Sequence, residues 1–210
     1  MPVPHSMTPR AARSIEGARE YARAKLPSRH GEFEIVSFLD KQGHPLDHVA
    51  IISGDVRNQT DVATRVHSEC LTGDVFGSYR CDCRDQLELA LARIAESRPG
   101  IVLYLRQEGR GIGIAQKVRT YELQERGLDT VEANHHLGFD TDLRDYTVAA
   151  AILHALGVAS IELHTNNLLK VQGLVQHGIQ VARRVSIVAP ARKQNEFYLE
   201  TKRDKCGHLL

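Results

Sequence analysis

Three of the four cysteines in this chain, Cys70, Cys81 and Cys83, fall within fourteen residues. The stretch that holds them, Arg65 to Arg84, reads RVHSECLTGDVFGSYRCDCR. A fold that accommodates it must bring polar and thiol groups to one place. If Ala63 to Glu69 is extended, the period of two puts Arg65, His67 and Glu69 on one face. Cys81 and Cys83 point the same way if their piece is extended too, and the turn through Gly73 and Gly77 can fold Cys70 back toward them. Three converging thiolates with room for a water form the open arrangement of a catalytic zinc site, whereas a structural site has four ligands. A zinc knuckle would show a Cys-x-x-Cys pair and a fourth ligand, and neither is nearby. Any one cysteine could be an ordinary buried thiol, but three flanked by Asp82 and Arg84 fit that account poorly. Cys206 lies far away in the tail and is not assigned as a ligand.

At 210 residues the chain suits one domain, or one with a small appendage. That is enough to bury a core without a metal staple. A net charge of +1 predicts no strong field for nucleic acid or an anionic membrane. No apolar run approaches the ~18 residues of a membrane span. The start, MPVPHSMTPR, lacks an apolar signal core, so a cytoplasmic location is expected, where thiols stay reduced.

Residues 1–24 read as a loose leader with a short helix over 12–24, ahead of a catalytic domain over 25–210. Gly31 to Leu39 and His48 to Ser53 alternate as an antiparallel strand pair. Strand and helix then take turns: helices over 86–96, 112–126, 144–156 and 168–177, strands over 101–105, 161–164 and 179–188. The tail after about 190 is polar and is expected to be mobile or to close over something. The pattern predicts an α/β fold, a mixed β-sheet with flanking helices in three layers.

The strand ending at Leu105 runs into Arg106-Gln-Glu-Gly-Arg-Gly-Ile-Gly113, a glycine-rich turn of the kind that lets backbone N–H groups approach phosphate. Arg106 and Arg110 could clamp phosphates, while Glu108 suits base or sugar donors, or holds a cation. The turn is neither a P-loop nor a dinucleotide fingerprint. Asp142 and Arg144 stand at an expected helix start, with Thr141 or Asp142 as cap. Thr165 ends a strand and Lys170 follows one turn into a helix, where ligands of open α/β sheets collect.

Taken in order, Arg65-Val-His-Ser-Glu-Cys-Leu-Thr-Gly-Asp74, Arg80-Cys-Asp-Cys83, Arg106-Gln-Glu-Gly-Arg110, Asp129-Thr-Val-Glu-Ala-Asn134 and Thr165-Asn-Asn167 resemble GTP cyclohydrolase II over residues 25–210. The resemblance is to the single-function form, without the dihydroxybutanone-phosphate synthase part of fused members. It implies opening of the GTP imidazole ring with release of formate and diphosphate, the first step of riboflavin biosynthesis, by a homodimer. It also implies one zinc per subunit on Cys70, Cys81 and Cys83, and magnesium at the GTP phosphates. GTP contacts would come from Arg65, Val66, His67, Ser68, Glu69, Gln86, Glu108, Gly109, Arg110, Thr130, Thr165 and Lys170. Asp142 matches the proton acceptor, Arg144 the nucleophile, and Tyr121 a tyrosine tied to ring opening. On its own chemistry Arg144 suits an electrostatic clamp equally well, because arginine stays protonated. The family commonly has Thr-Asn-Asn-Pro-Lys-Lys where this chain has Leu168-Leu169-Lys170. That departure leaves room for an altered nucleotide substrate or a product halted at a formamidopyrimidine.

Overall fold

A computed structural model describes residues 17–97, 99–205, 207 and 209. Seven strands form one mixed sheet: β1 (Ala18–Ser28), β2 (Gly31–Asp40), β3 (Pro45–Ser53), β4 (Val62–Ser68), β5 (Gly100–Leu105), β6 (Ile161–His164) and β7 (Val181–Val185), in the order β1-β2-β3-β5-β4-β6-β7. β1, β2, β3 and β5 pair antiparallel, whereas β5, β4, β6 and β7 run parallel. Among the described residues six α-helices flank the sheet: α1 (Cys83–Glu96), α2 (Ile114–Glu125), α3 (Thr130–His136), α4 (Thr147–Leu156), α5 (Leu168–Gln176) and α6 (Glu196–Lys205).

The sheet divides two apolar clusters. Val36, Phe38, Ala50, Val66 and Leu103 pack with Ile152, Leu153 and Leu174 of α4 and α5 on one face. Phe33, Ala63 and Val102 pack with Ala90 and Ile94 of α1 on the other. Alternation along β4 explains the split: Val62 and Val66 face α4, while Ala63, Arg65 and His67 face α1's side. The second face is thus apolar where α1 covers it and polar beyond, at the carboxyl end of β4.

Several expected elements differ. Over 18–24 the chain is strand, not helix, because the free edge of β2 pairs it through a tight turn at Ser28–Gly31. Tertiary pairing overrides the helix preference of its Ala, Glu and Arg residues. Residues 12–16 lie outside the described part. The helix expected from 144 starts at Thr147, leaving Asp142 and Arg144 in the preceding loop. Its first turn is capped by neither Thr141 nor Asp142: Asp145 Oδ1 accepts from Thr147 N at 2.8 Å. Cys83 opens α1 rather than continuing an extended piece. The last expected strand is shorter, 181–185. The polar tail forms α6, and α3, started by an Asp129–Glu132 capping box, had not been anticipated.

Candidate active site

β4, β5 and β6 are parallel and end at one edge of the sheet, the edge where open α/β sheets take ligands. A cavity of about 1070 Å³, its open mouth included, lies there. Arg65, His67, Ser68, Glu69, Gln86, Glu108, Gly109, Arg110, Tyr121, Thr130, Arg144, Thr165, Lys170 and all three cysteines line it. Three expected residues, Arg106, Val66 and Asp142, do not. The Val66 side chain points into the α4 core, and only its carbonyl turns toward the site, accepting from Lys170 Nζ at 2.7 Å. Asp142 stands behind Arg144.

One end of the cavity is sulfur. The chain leaves β4 into a π-helical turn, Leu71–Val75, whose cap Cys70 accepts at Sγ from Gly73 N at 3.4 Å. The three Sγ atoms lie within 4.8 Å of one another, with Cys70 and Cys81 3.6 Å apart. Two sulfurs tetrahedrally bound to one zinc would be ~3.8 Å apart at ordinary Zn–S lengths, so this cluster could hold a metal ion. Gly73 makes the convergence possible: a Cβ there would sit 2.9 Å from Cys81 Sγ and 3.1 Å from Cys70 Sγ. Hydrogen bonds from Cys81 and Cys83 pull the Cys70 thiol well below its ordinary pKa, with Lys117 adding to the effect. The same bonds and burial push Cys81 up to about 12 and Cys83 upward as well. Three such thiols cannot all ionise side by side, and a bound cation is what would let them.

Another part of the lining is basic. Arg65 is buried, held by His164 O at 3.0 Å and Gln86 Oε1 at 2.6 Å, and burial lowers its pKa to about 10. Arg144 donates to both oxygens of Asp142, at 2.8 and 2.5 Å. Burial opposes its charge, but Tyr146 and Asp142 outweigh that and hold its pKa above the usual value. Burial likewise works against the Asp142 carboxylate, and Arg144 overrides it to keep the pKa low. Lys170 is pushed well below the ordinary lysine value by burial and then by Arg65, Arg144 and Lys202. Arg65 and Lys170 are buried and Arg144 partly so, and the three together form a hole suited to a polyanion.

The glycine-rich turn touches both the cysteine turn and the Asp142–Arg144 loop. Glu108 accepts from Leu71 N at 2.6 Å, Gly109 N at 2.7 Å and Lys117 Nζ at 2.8 Å, so it ties the cysteine turn to α2. Gly111 has φ +94 and packs against Leu143, where a Cβ would meet the backbone at 3.2 Å. That contact, with Leu143 N donating to Arg110 O at 3.0 Å, seats the Asp142–Arg144 loop. Arg106 instead turns outward to Glu69 at 2.7 Å. Tyr121 Oη lies 3.0 Å from Thr72 Oγ1, beside the sulfur end, with Arg80 over its ring. His67 stacks on Tyr104, and both bond Asp74 Oδ2, at 3.0 and 2.9 Å, as does Cys70 N at 3.0 Å.

Residues 19–186 match the family model described as GTP cyclohydrolase II. The chain belongs to the GTP cyclohydrolase II family. It is 51% identical over 190 residues to GTP cyclohydrolase-2 of Picrophilus torridus, covering 90% of this chain and 98% of that protein. Its identity to GTP cyclohydrolase-2 of Escherichia coli O9:H4 is also 51%, over 91% of this chain and 97% of that one. Against the riboflavin biosynthesis protein RibBA of Endomicrobium trichonymphae it is 50% identical over 91% of its own length and 47% of the relative's. The chain thus spans about half the length of the RibBA relatives it matches. A crystal structure of RibBX, a two-domain 3,4-dihydroxy-2-butanone 4-phosphate synthase from A. baumannii, is a looser likeness. Its TM-score is 0.45 at 18% identity, over 83% of this chain and 41% of that one.

In this GTP cyclohydrolase II-family chain the cavity also uses residues that motif reading missed, chiefly Lys117, Tyr198 and Lys202. Lys117 lies 3.1 Å from Cys70 Sγ and one helical turn before Tyr121, so helix periodicity alone could have found it. Tyr198 and Lys202 sit on α6, where a polar tail held no such signal. Leu168 and Leu169 are half exposed and outside the cavity lining, so the departure from the family pattern falls beyond its wall. Among the described residues no helix is long and apolar enough to cross a membrane.

Proposed function

We propose that this chain is a zinc-dependent GTP cyclohydrolase II. It opens the imidazole ring of GTP and releases formate and diphosphate, giving 2,5-diamino-6-ribosylamino-4(3H)-pyrimidinone 5′-phosphate, the first step of riboflavin biosynthesis. One observation carries this reading: a single cavity is lined both by three convergent thiols and by Arg65, Arg144 and Lys170. Guanine C8 toward sulfur and phosphates toward the basic side chains would match both.

Cys70, Cys81 and Cys83 would hold the zinc, a metal for which thiolates are ordinary ligands. When bound, it supplies a Lewis acid and brings the pKa of a water down to ~7. Arg65, Arg144 and Lys170 bind and orient the phosphates, with magnesium entering as their counter-ion. Glu108, held by Lys117 and two backbone N–H groups, keeps one of its about four lone-pair sites free, which suits a single guanine N–H donor. Arg110, Thr130 and Thr165 line the space between. The Tyr121 hydroxyl, its pKa raised by burial, holds its proton at Oη at neutral pH and can donate it beside the sulfur end. Asp142 orients Arg144. Because the Asp142 carboxylate accepts from Arg144 through both oxygens and stabilises its charge, we assign Arg144 as a phosphate clamp rather than a nucleophile.

Incubation with GTP, zinc and magnesium tests the reading by measuring formate and diphosphate. Release of both is expected, with one zinc per subunit of a homodimer by native mass spectrometry. Diphosphate without formate would instead indicate an enzyme halted at the formamidopyrimidine, and release of neither would sink the proposal. A guanylyl adduct trapped on Arg144 by rapid quench would overturn the clamp assignment.

A further inference from the structure

α6 supplies a cavity wall through Tyr198 and Lys202, one turn apart. Lys202 is only 6% exposed, with Nζ 5.0 Å from the centre of the Tyr198 ring. It donates to Asp82 Oδ1 at 2.9 Å. Asp82, 1% exposed, lies between Cys81 and Cys83. Its other oxygen accepts from Gln86 Nε2 at 2.5 Å, and Gln86 Oε1 accepts from Arg65 Nη2 at 2.6 Å. A continuous chain of bonds therefore runs from the last helix to the first cation of the cavity.

We propose that Lys202 is a positioning residue for polyphosphate: it neutralises Asp82 and holds the Asp82–Gln86–Arg65 chain that aims the Arg65 fork. Without it a buried carboxylate would stand uncompensated beside the site and repel the incoming anion. The inference rests on the reading of this cavity as a GTP site, but concerns only how the cavity binds phosphates. α6 does not depend on Lys202 for its place. Lys205 pairs with Asp129 and Glu132, Arg192 Nη2 donates to Asp85 Oδ1 at 2.8 Å, and Leu209 N donates to Asn166 O at 3.0 Å.

The test measures binding of inorganic tripolyphosphate by calorimetry, and the KM and kcat for GTP, on metal-loaded protein. Lys202→Met should weaken tripolyphosphate binding and raise KM about tenfold, the order expected when a buried acceptor is left without its hydrogen-bond partner, with kcat within about threefold. Metal content should stay at the wild-type level, and Lys202→Arg should bind within about threefold of wild type. Adding Asp82→Asn to Lys202→Met removes the stranded charge and should recover most of the affinity. Unchanged tripolyphosphate affinity in Lys202→Met, a loss that Asp82→Asn does not recover, or loss of metal in step with affinity would each overturn the proposal. Wild-type protein that binds tripolyphosphate in this Lys202-dependent way yet leaves GTP intact would overturn the reaction and keep the inference. GTP turnover with a Lys202→Met that binds like wild type would do the reverse.

Discussion

β1, β2 and β3 are joined by tight turns and run antiparallel, and β1 closes the sheet with most of its length exposed. β4, β5, β6 and β7 run parallel, and helices cover them. The antiparallel strands contribute core residues such as Phe33, Val36, Phe38 and Ala50, and none lines the cavity. The parallel strands end together, and the loops that leave them carry the cysteines, the glycine-rich turn and Thr165. Antiparallel neighbours send successive loops to opposite edges, while parallel neighbours send them to the same one. Convergence of distant sequence motifs is therefore a property of the parallel strands, and the antiparallel ones reach the site through stability and through His48 Nδ1 on β3, which accepts from Arg106 N at 3.0 Å.

That separation can be broken by mutation. The largest effect should come from Cys81→Ser, with formate release down at least ~1,000-fold and zinc lost, since the metal needs all three thiolates. Both apolar clusters lie outside the cysteines, so its melting temperature should move only slightly. A Cys81→Ser protein that unfolds would show the sulfur cluster to be structural. Phe38→Leu should do the opposite. Loss of packing in β2 should cost ~1–2 kcal/mol by urea titration while kcat/KM of the folded protein stays within about twofold. A large change in kcat/KM would mean that the halves are coupled.

A smaller effect concerns Lys170. Its folded pKa is depressed, so between that value and its ordinary 10.5 the free protein holds it neutral. The stability this permits is full above the ordinary value and falls as pH drops through the depressed one. Phosphates restore the ammonium, so tripolyphosphate binding should take up close to one proton in that window, read from the buffer dependence of the calorimetric enthalpy. Lys170→Met should abolish the uptake. The smallest effect should be Leu169→Lys, which adds a cation outside the cavity wall. A change in the KM for GTP beyond about threefold would show that long-range charge at this helix start matters.

Strands with clear alternation or short apolar runs were legible in the sequence, and so were the motifs at their ends. β1 was not, because Ala, Arg and Glu suit a helix until β2 offers a free edge. The start of α4 was displaced because Asp142 bonds Arg144 and leaves the capping to Asp145. The thiol triad was readable from spacing even though Cys83 begins a helix rather than ending a strand. Val66 entered the expected site set through the family resemblance, yet strand alternation turns its side chain away. Lys202 was invisible because its partner Asp82 is 120 residues distant, and pairings of that range leave no local pattern.

Gly73 carries one more consequence. Its bare Cα and its N–H to Cys70 let sulfur atoms from the turn's cap and from the start of α1 close on one another, so little ordering is left for an incoming ion to impose. Demetallation should therefore be reversible under native conditions: a chelator should strip the ion from a chain that keeps its circular dichroism, and added zinc should restore turnover without a refolding step.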